Sequence, residues 1–116
     1  MFRGWDPRAF EDYLEASVVE SRGAVELRYP RGWEARIFEI CPHSLWSQLR
    51  RVETPTLVLR GQSSSTLLAD AAARMAREMP NGTVTELPGT SHFMPMERPV
   101  EVAGIVRAFA STGDPP

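Results

Sequence analysis

The sequence predicts an α/β fold in which a helical segment precedes a β-α-β-α unit with parallel strands. Residues 56–59 form a short apolar run, typical of a strand buried on both faces of a parallel sheet. A second strand-like run, 83–87, follows an alanine-rich stretch of helical character. Because strand, helix, strand and helix follow in order, we expect a right-handed parallel crossover.

The first half is predicted to be mainly helical. Asp6 is a plausible N-cap and Pro7 suits the first helical position, so a helix is expected over 6–20, where apolar residues recur at helical spacing. Further predicted elements are an extended piece over 24–29 and helices over 33–41 and 43–52. The pattern changes near Pro55, which divides the chain into a helical segment over 1–53 and a core unit over 54–110.

The second half alternates strands and helices around glycine and proline turns. The predicted elements are a strand over 56–59, a polar loop over 61–65, a helix over 66–79, a strand over 83–87, a histidine-bearing loop and a helix over 99–109. The turn Pro80-Asn81-Gly82 separates the first of these helices from the second strand. Residues 111–116 are expected to form a disordered tail.

Composition excludes several classes of function. The chain has 116 residues, of which 42% are hydrophobic and 24% charged, as in globular domains. Its net charge of −2 gives no reason to expect a nucleic-acid partner. Cys41 stands alone, which excludes an internal disulfide and favours a reducing compartment. With no secretory-type N-terminus and no apolar run of about 20 residues, we expect a cytoplasmic protein with no membrane partner.

A parallel sheet of two strands is expected to be incomplete. Parallel strands need neighbouring strands and helices on both faces, and the apolar edge at 56–59 would be open to association. We therefore expect that this edge is covered by self-association or by a complementing fragment from upstream sequence.

His92 is the strongest candidate for a functional residue. It lies in a loop between the predicted second strand and last helix, where glycine and proline shape the backbone. Histidines on such loops often act as general bases. The alternative is a structural histidine that hydrogen-bonds its own loop.

Two stretches together resemble the C-terminal end of an α/β-hydrolase-fold enzyme. They are Pro55-Thr56-Leu57-Val58-Leu59-Arg60-Gly61 and Leu87-Pro88-Gly89-Thr90-Ser91-His92-Phe93-Met94-Pro95-Met96-Glu97-Arg98-Pro99. The family ends with a P-T-L-V-L-x-G strand, a helix, a strand, a P-G-x-x-H-x-x-x-x-E-x-P loop and a final helix. The likeness covers about residues 54–110, and 1–53 resemble, more weakly, the helical cap of these enzymes. The resemblance implies that His92 is the catalytic histidine.

The chain departs from the family pattern in two ways. The family's nucleophile elbow, Gly-x-Ser-x-Gly, is absent, and the resemblance implies that it lies upstream of the cap. Many members carry the triad acid in the loop after the first of these strands, at the position of Ser64, which cannot ionise. In other members the acid follows an earlier strand, so the resemblance implies that the acid is either elsewhere or lost. We therefore expect a truncated or inactive fragment.

Other candidate residues have ordinary structural explanations. Residues 61–65 follow a strand as an elbow would, but Ser65 replaces the second glycine, so Ser64 or Ser65 is expected to cap the next helix. Cys41 and His43 form a pair without a recognised metal spacing, and no metal is expected. Asp70 is expected to be solvated, and Glu97 and Pro99 are expected to shape the start of the last helix. The side chains of Trp5, Trp33, Trp46 and Met94 would suit an apolar pocket beneath a cap, but most such side chains simply belong to a core, which is the expectation here.

The resemblance implies hydrolysis of ester or amide-type bonds in a small, largely apolar substrate, without a cofactor. His92 would take the proton of a serine hydroxyl as the serine attacks, then protonate the leaving group. A different class remains open: a non-catalytic interaction module that pairs through its exposed strand edge.

Overall fold

The computed structural model describes residues 2–40 and 44–112. The elements, in chain order, are a 3₁₀ helix Phe2–Gly4, α1 Pro7–Ser17, β1 Val18–Ser21, β2 Ala24–Leu27, α2 Arg31–Glu39, a second 3₁₀ helix Leu45–Arg51, β3 Thr56–Gly61, α3 Ala69–Glu78, β4 Gly82–Leu87, α4 Met94–Glu97 and α5 Pro99–Thr112. None of the helices in these two ranges has the length and apolar character needed to cross a bilayer.

Strands β3 and β4 form the predicted parallel pair, with Val58 opposite Val84. Helix α3 connects them and packs on one face of the sheet. There Val58, which is 8% exposed, forms the hydrophobic core with Ala72 of α3 and with Met79, the residue that follows this helix. Burying these side chains stabilises the unit by about 25 cal/mol for each Å² of apolar surface removed from water. The mixed fold with a parallel sheet confirms the predicted fold class.

The other edge of β3 is open. Thr56 N–H donates to Asn81 O at 3.0 Å, and Gln62 N–H donates to Leu87 O at 3.0 Å. Backbone groups along a strand alternate between its two sides, so the even-numbered positions face β4 and the N–H and C=O groups of Leu57 and Leu59 point away from it. Within the described ranges no strand pairs with this second edge.

Helix α1 begins as the sequence predicts but ends earlier. Asp6 is its N-cap, with Oδ1 accepting from Arg8 N–H at 2.9 Å, and Pro7 is its first residue. The prediction of helix up to residue 20 is wrong, because Val18–Ser21 pair as an antiparallel strand with β2. The hairpin turn places Arg22 and Gly23 at φ of 51° and 78°, the positive values that a two-residue turn of type I′ requires.

Several other boundaries differ from the sequence-based ones. Leu45–Arg51 forms a tighter 3₁₀ helix, α3 begins at Ala69 instead of Thr66, and a short helix α4 precedes the last one. Helix α5 continues to Thr112, so residues 111 and 112 are helical instead of part of the expected tail.

The β1–β2 hairpin and α2, which we call the hairpin–α2 segment (residues 18–40), expose much apolar surface. Seven of its large apolar side chains are between 56% and 74% exposed; they are Val25, Leu27, Tyr29, Trp33, Ile37, Phe38 and Ile40. Exposed apolar side chains that accumulate in this way are typical of an interaction surface.

Candidate active site

The loops that follow β3 and β4 meet beyond the carboxyl ends of the two strands. Ser63 N–H donates to Thr90 O at 2.9 Å, and Gly89 N–H donates to the side-chain oxygen of Gln62 at 3.0 Å. The edge at the carboxyl ends of parallel strands is where α/β proteins usually bind ligands. His92 therefore lies on a loop that is hydrogen-bonded to the neighbouring loop at the carboxyl edge of the sheet.

The two loops approach each other so closely that only glycine fits at position 61. A Cβ atom there would lie 2.7 Å from Thr90 O and would also overlap Ser91 O. Thr90 is 2% exposed, and its hydroxyl donates to Leu87 O at 2.9 Å. Gly89 has a φ of 67°, which favours glycine in the turn out of β4.

His92 lies in a tight turn formed by residues 91–94. Met94 N–H donates to Ser91 O at 3.2 Å, and Phe93 has φ of −87° and ψ of 18°, close to the third position of a type I turn. The Ser91 hydroxyl accepts from Phe93 N–H at 3.1 Å, an arrangement that favours serine as the first turn residue.

The carboxylate of Glu97 holds the same turn. Its Oε2 accepts from Ser91 N–H at 2.7 Å, and its Oε1 accepts from the Ser91 hydroxyl at 2.6 Å. Pro99 is the first residue of α5, as predicted, whereas Glu97 ends α4 two residues earlier and bonds back to Ser91.

The imidazole of His92 is exposed and packs against its neighbour Phe93, with ring centroids 3.9 Å apart and a 37° tilt. No hydrogen bond joins the imidazole to another residue within 2–40 or 44–112. Its nitrogen atoms are therefore available to solvent or to a reacting group.

The serines after β3 do not form a nucleophile elbow. Helix α3 begins only at Ala69, so Ser63 does not lie at a strand-to-helix turn, and its hydroxyl makes no hydrogen bond to His92. Ser64 is buried, and its hydroxyl accepts from Leu67 N–H at 3.2 Å. It closes the turn before α3 instead of capping that helix, whose N-cap is Leu68. Asp70, in the first turn of α3, is exposed, as predicted.

A buried arginine that sequence reasoning missed supports the loop after β3. Arg60 is 6% exposed and forms an ion pair with Glu86 of β4. Its guanidinium also donates to Leu67 O at 3.1 Å and to Gln62 O at 3.2 Å. A buried charge is tolerated because these partners satisfy it, but the side chain occupies an ordinary strand position that carries no sequence signal.

The three tryptophans do not share one pocket, and the expectation that they belong to a core holds for Trp5 but not for Trp33. Trp5 is buried in an aromatic cluster whose members also include Phe93, at a centroid distance of 5.2 Å. Trp33 is 67% exposed, and Trp46 lies under the Arg74 guanidinium at 4.2 Å. The N-terminal segment is joined to α4 by a 2.7 Å hydrogen bond from Asp6 N–H to Met96 O. The cluster therefore braces the histidine loop from the side of α1.

Cys41 and His43, considered above as a possible metal pair, lie outside the described residues. Within the described ranges no three histidine, cysteine, aspartate or glutamate side chains converge on a common point that could hold a metal ion.

Comparisons with known proteins identify the architecture. No protein-family model and no curated protein sequence matches the chain. The fold is similar to that in the crystal structure of E-2-(acetamidomethylene)succinate hydrolase, an α/β hydrolase, with a TM-score of 0.84 and 22% sequence identity. The match covers 96% of this chain but 41% of that one, and at this identity it concerns the fold alone. The chain therefore has a partial α/β-hydrolase fold, with His92 on the loop beyond its second parallel strand.

Proposed function

We propose that the chain supplies the histidine of an α/β-hydrolase active site whose nucleophile comes from sequence outside residues 1–116. The complete enzyme would hydrolyse ester or amide-type bonds in a small, largely apolar substrate, without a cofactor. The observation that carries the proposal is the exposed His92 on a rigidly tied loop at the carboxyl ends of two parallel strands. We further propose a cytoplasmic location, which the single cysteine, Cys41, favours.

The chemistry follows from the free imidazole. A neutral imidazole within hydrogen-bond reach of a serine hydroxyl removes its proton during attack on a carbonyl, and the resulting imidazolium protonates the leaving group. The nitrogen atoms of His92 make no hydrogen bond in the described part of the chain, so either of them can accept a proton from a serine hydroxyl.

A nucleophile outside the chain is favoured by the geometry around Ser63 and by the open strand edge. Ser63 lies too far before α3 for an elbow, and it does not bond to His92. The backbone groups of Leu57 and Leu59 are free to pair with a further parallel strand. The hydrolase with the similar fold is longer, with 41% of its chain matched, which leaves room for such a strand.

The test expresses the chain both alone and with the protein sequence encoded by the DNA upstream of Met1, and measures hydrolysis of a short-chain p-nitrophenyl ester. We expect turnover only in the longer product. His92→Ala should lower kcat by about 10² to 10⁴-fold, the usual contribution of a general base. The matched control is His43→Ala, which removes the other histidine.

Two results would contradict the proposal. One is a longer product whose turnover is the same with and without His92. The other is turnover by the isolated chain that Ser63→Ala abolishes, since the nucleophile would then lie within the chain.

The open edge of β3 also favours a second candidate, a non-catalytic module that binds a partner strand. This candidate is supported if the chain captures a partner through β3 while the His92→Ala variant behaves as the wild type in every hydrolysis assay.

A further inference from the structure

We infer that Glu97 is a positioning residue for His92, because its carboxylate holds the peptide groups on both sides of the histidine. The inference rests on the proposed function, in which His92 is the base, and names a second residue on which that base depends.

The hydrogen bonds around the turn converge on one carboxylate. Glu97 accepts directly from the N–H of Ser91, which precedes the histidine, at 2.7 Å. It also accepts from the Ser91 hydroxyl at 2.6 Å, and that hydroxyl accepts from the N–H of Phe93, which follows the histidine, at 3.1 Å. Distances of 2.6 and 2.7 Å are those of charge-assisted hydrogen bonds, the stronger kind in proteins.

The position of the imidazole depends on this backbone arrangement. The His92 side chain packs against the Phe93 ring. Within residues 2–40 and 44–112 it makes no hydrogen bond that would orient it. The backbone that Glu97 and Ser91 hold therefore fixes the origin of the His92 side chain, and the Phe93 ring is the described contact of the imidazole itself. A misplacement of about 1 Å in a catalytic group can cost up to a hundredfold in rate, so a fixed turn matters to the base.

A simpler role for Glu97, as an acid at the start of α5, does not fit the geometry. Among the described residues both oxygens of the carboxylate bond to Ser91, and neither accepts from an N–H group in the first turn of α5. Glu97 is also partly covered by the N-terminal segment, because a Cβ atom on Gly4 would lie 3.9 Å from its Cγ. Its two acceptor oxygens therefore serve the histidine turn.

The first test measures amide hydrogen exchange by NMR in Glu97→Ala, Glu97→Gln and the control Glu101→Ala, which removes an exposed acid in the first turn of α5. We expect Glu97→Ala to speed exchange at Ser91 and Phe93 by about tenfold or more, the loss expected from a charge-assisted bond. Glu97→Gln, which keeps one acceptor oxygen, should give a smaller increase, and Glu101→Ala none. The amide of Val58, in the β3–β4 ladder, should be unchanged in all three.

The second test uses the complete enzyme of the proposed function. Glu97→Ala should lower kcat by about tenfold to a hundredfold with little change in KM, because the loss concerns the orientation of a reacting group. Glu101→Ala should leave both unchanged.

Each outcome decides one point. Unchanged exchange at Ser91 and Phe93 in Glu97→Ala overturns the positioning role, as does an increase at Val58 equal to that at Ser91, because the effect would then be general destabilisation. If the amides of Ser91 and Phe93 exchange as fast in Glu97→Gln as in Glu97→Ala, hydrogen bonding by the acceptor oxygens is excluded as the reason for their protection. Turnover insensitive to His92→Ala, together with local exchange changes in Glu97→Ala, overturns the proposed function and leaves the hold on the turn intact.

Discussion

Gly61 determines how closely the loop after β3 approaches the histidine loop. The backbone of Thr90 and Ser91 occupies the space into which a side chain at position 61 would point. Because the obstructing atoms belong to the backbone, they cannot be moved aside by a rotamer change.

We predict that Gly61→Ala destabilises the chain by about 1–3 kcal/mol, the usual cost of forcing extra atoms into a packed site. The measurement is urea unfolding followed by circular dichroism. The matched control is Gly104→Ala in α5, where a Cβ atom meets nothing within 4 Å. That substitution should stabilise by about 0.5–1 kcal/mol, because alanine is the better helix former. Equal effects of the two substitutions would refute the close approach of the loops.

At the residue scale, the sequence predicts His92 because the signal is local: a histidine, its flanking glycine and proline, and the spacing to Glu97 all lie within eleven residues. The bonds from Glu97 to Ser91 could not be predicted, because they depend on the turn that α4 imposes between them. The burial of Arg60 could not be predicted either, because it depends on contacts with Glu86 and Leu67.

At the scale of elements, the second 3₁₀ helix and α3 are linked by charge. Arg50 donates to Glu78 at 2.9 Å, and Arg74 lies 3.8 Å from the same carboxylate. The Arg50 guanidinium, through its hydrogen bond and its charge, holds the pKa of Glu78 below the ordinary value of 4.5. A lowered carboxyl pKa means that the pair contributes stability above pH 4.5, and that this contribution is lost as the pH falls through the folded-state pKa.

We predict that Arg50→Met raises the pKa of the Glu78 carboxyl toward 4.5, as followed by NMR titration of its side-chain carbon. The stability lost on acidification below pH 4.5 should be smaller in this variant than in the wild type. Arg36→Met on α2, a residue that forms no ion pair within the described ranges, is the control and should leave the titration of Glu78 unchanged. An unaltered Glu78 titration in Arg50→Met would rule out the link.

The elements themselves were predictable to different degrees. β3 and β4 follow from short strand-like runs, of which the first is continuously apolar, and α3 follows from the alanine-rich stretch between them. Val18 lies at helical spacing from Leu14, yet it belongs to β1. The turn at Arg22 and Gly23 brings β2 alongside this strand, and the spacing of apolar residues carries no information about that pairing. Tertiary pairing therefore overrides local pattern at this point.

At the scale of the whole molecule, we expect the open edge of β3 to influence the association state of the chain in solution. An exposed, apolar strand edge is a template for pairing with another chain. The isolated chain is thus expected to associate unless a further strand occupies that edge.

We predict that the isolated chain sediments as an oligomer and that Leu57→Pro weakens this association by about tenfold or more, because proline removes an N–H that points to the open edge. The comparison is Val58→Pro, which should unfold the chain, since the N–H at that position faces β4. Analytical ultracentrifugation gives the association state, and circular dichroism reports folding. A wild-type chain that sediments as a stable 13.0 kDa monomer would contradict the open-edge argument.

The mutual bonding of the loops after β3 and β4 limits where the chain can change in length. Inserting or deleting a residue near Gln62 or Gly89 would separate donors from their acceptors in both loops at once. Insertions and deletions should therefore be tolerated better in the hairpin–α2 segment, where many large apolar side chains are exposed, than in these two loops.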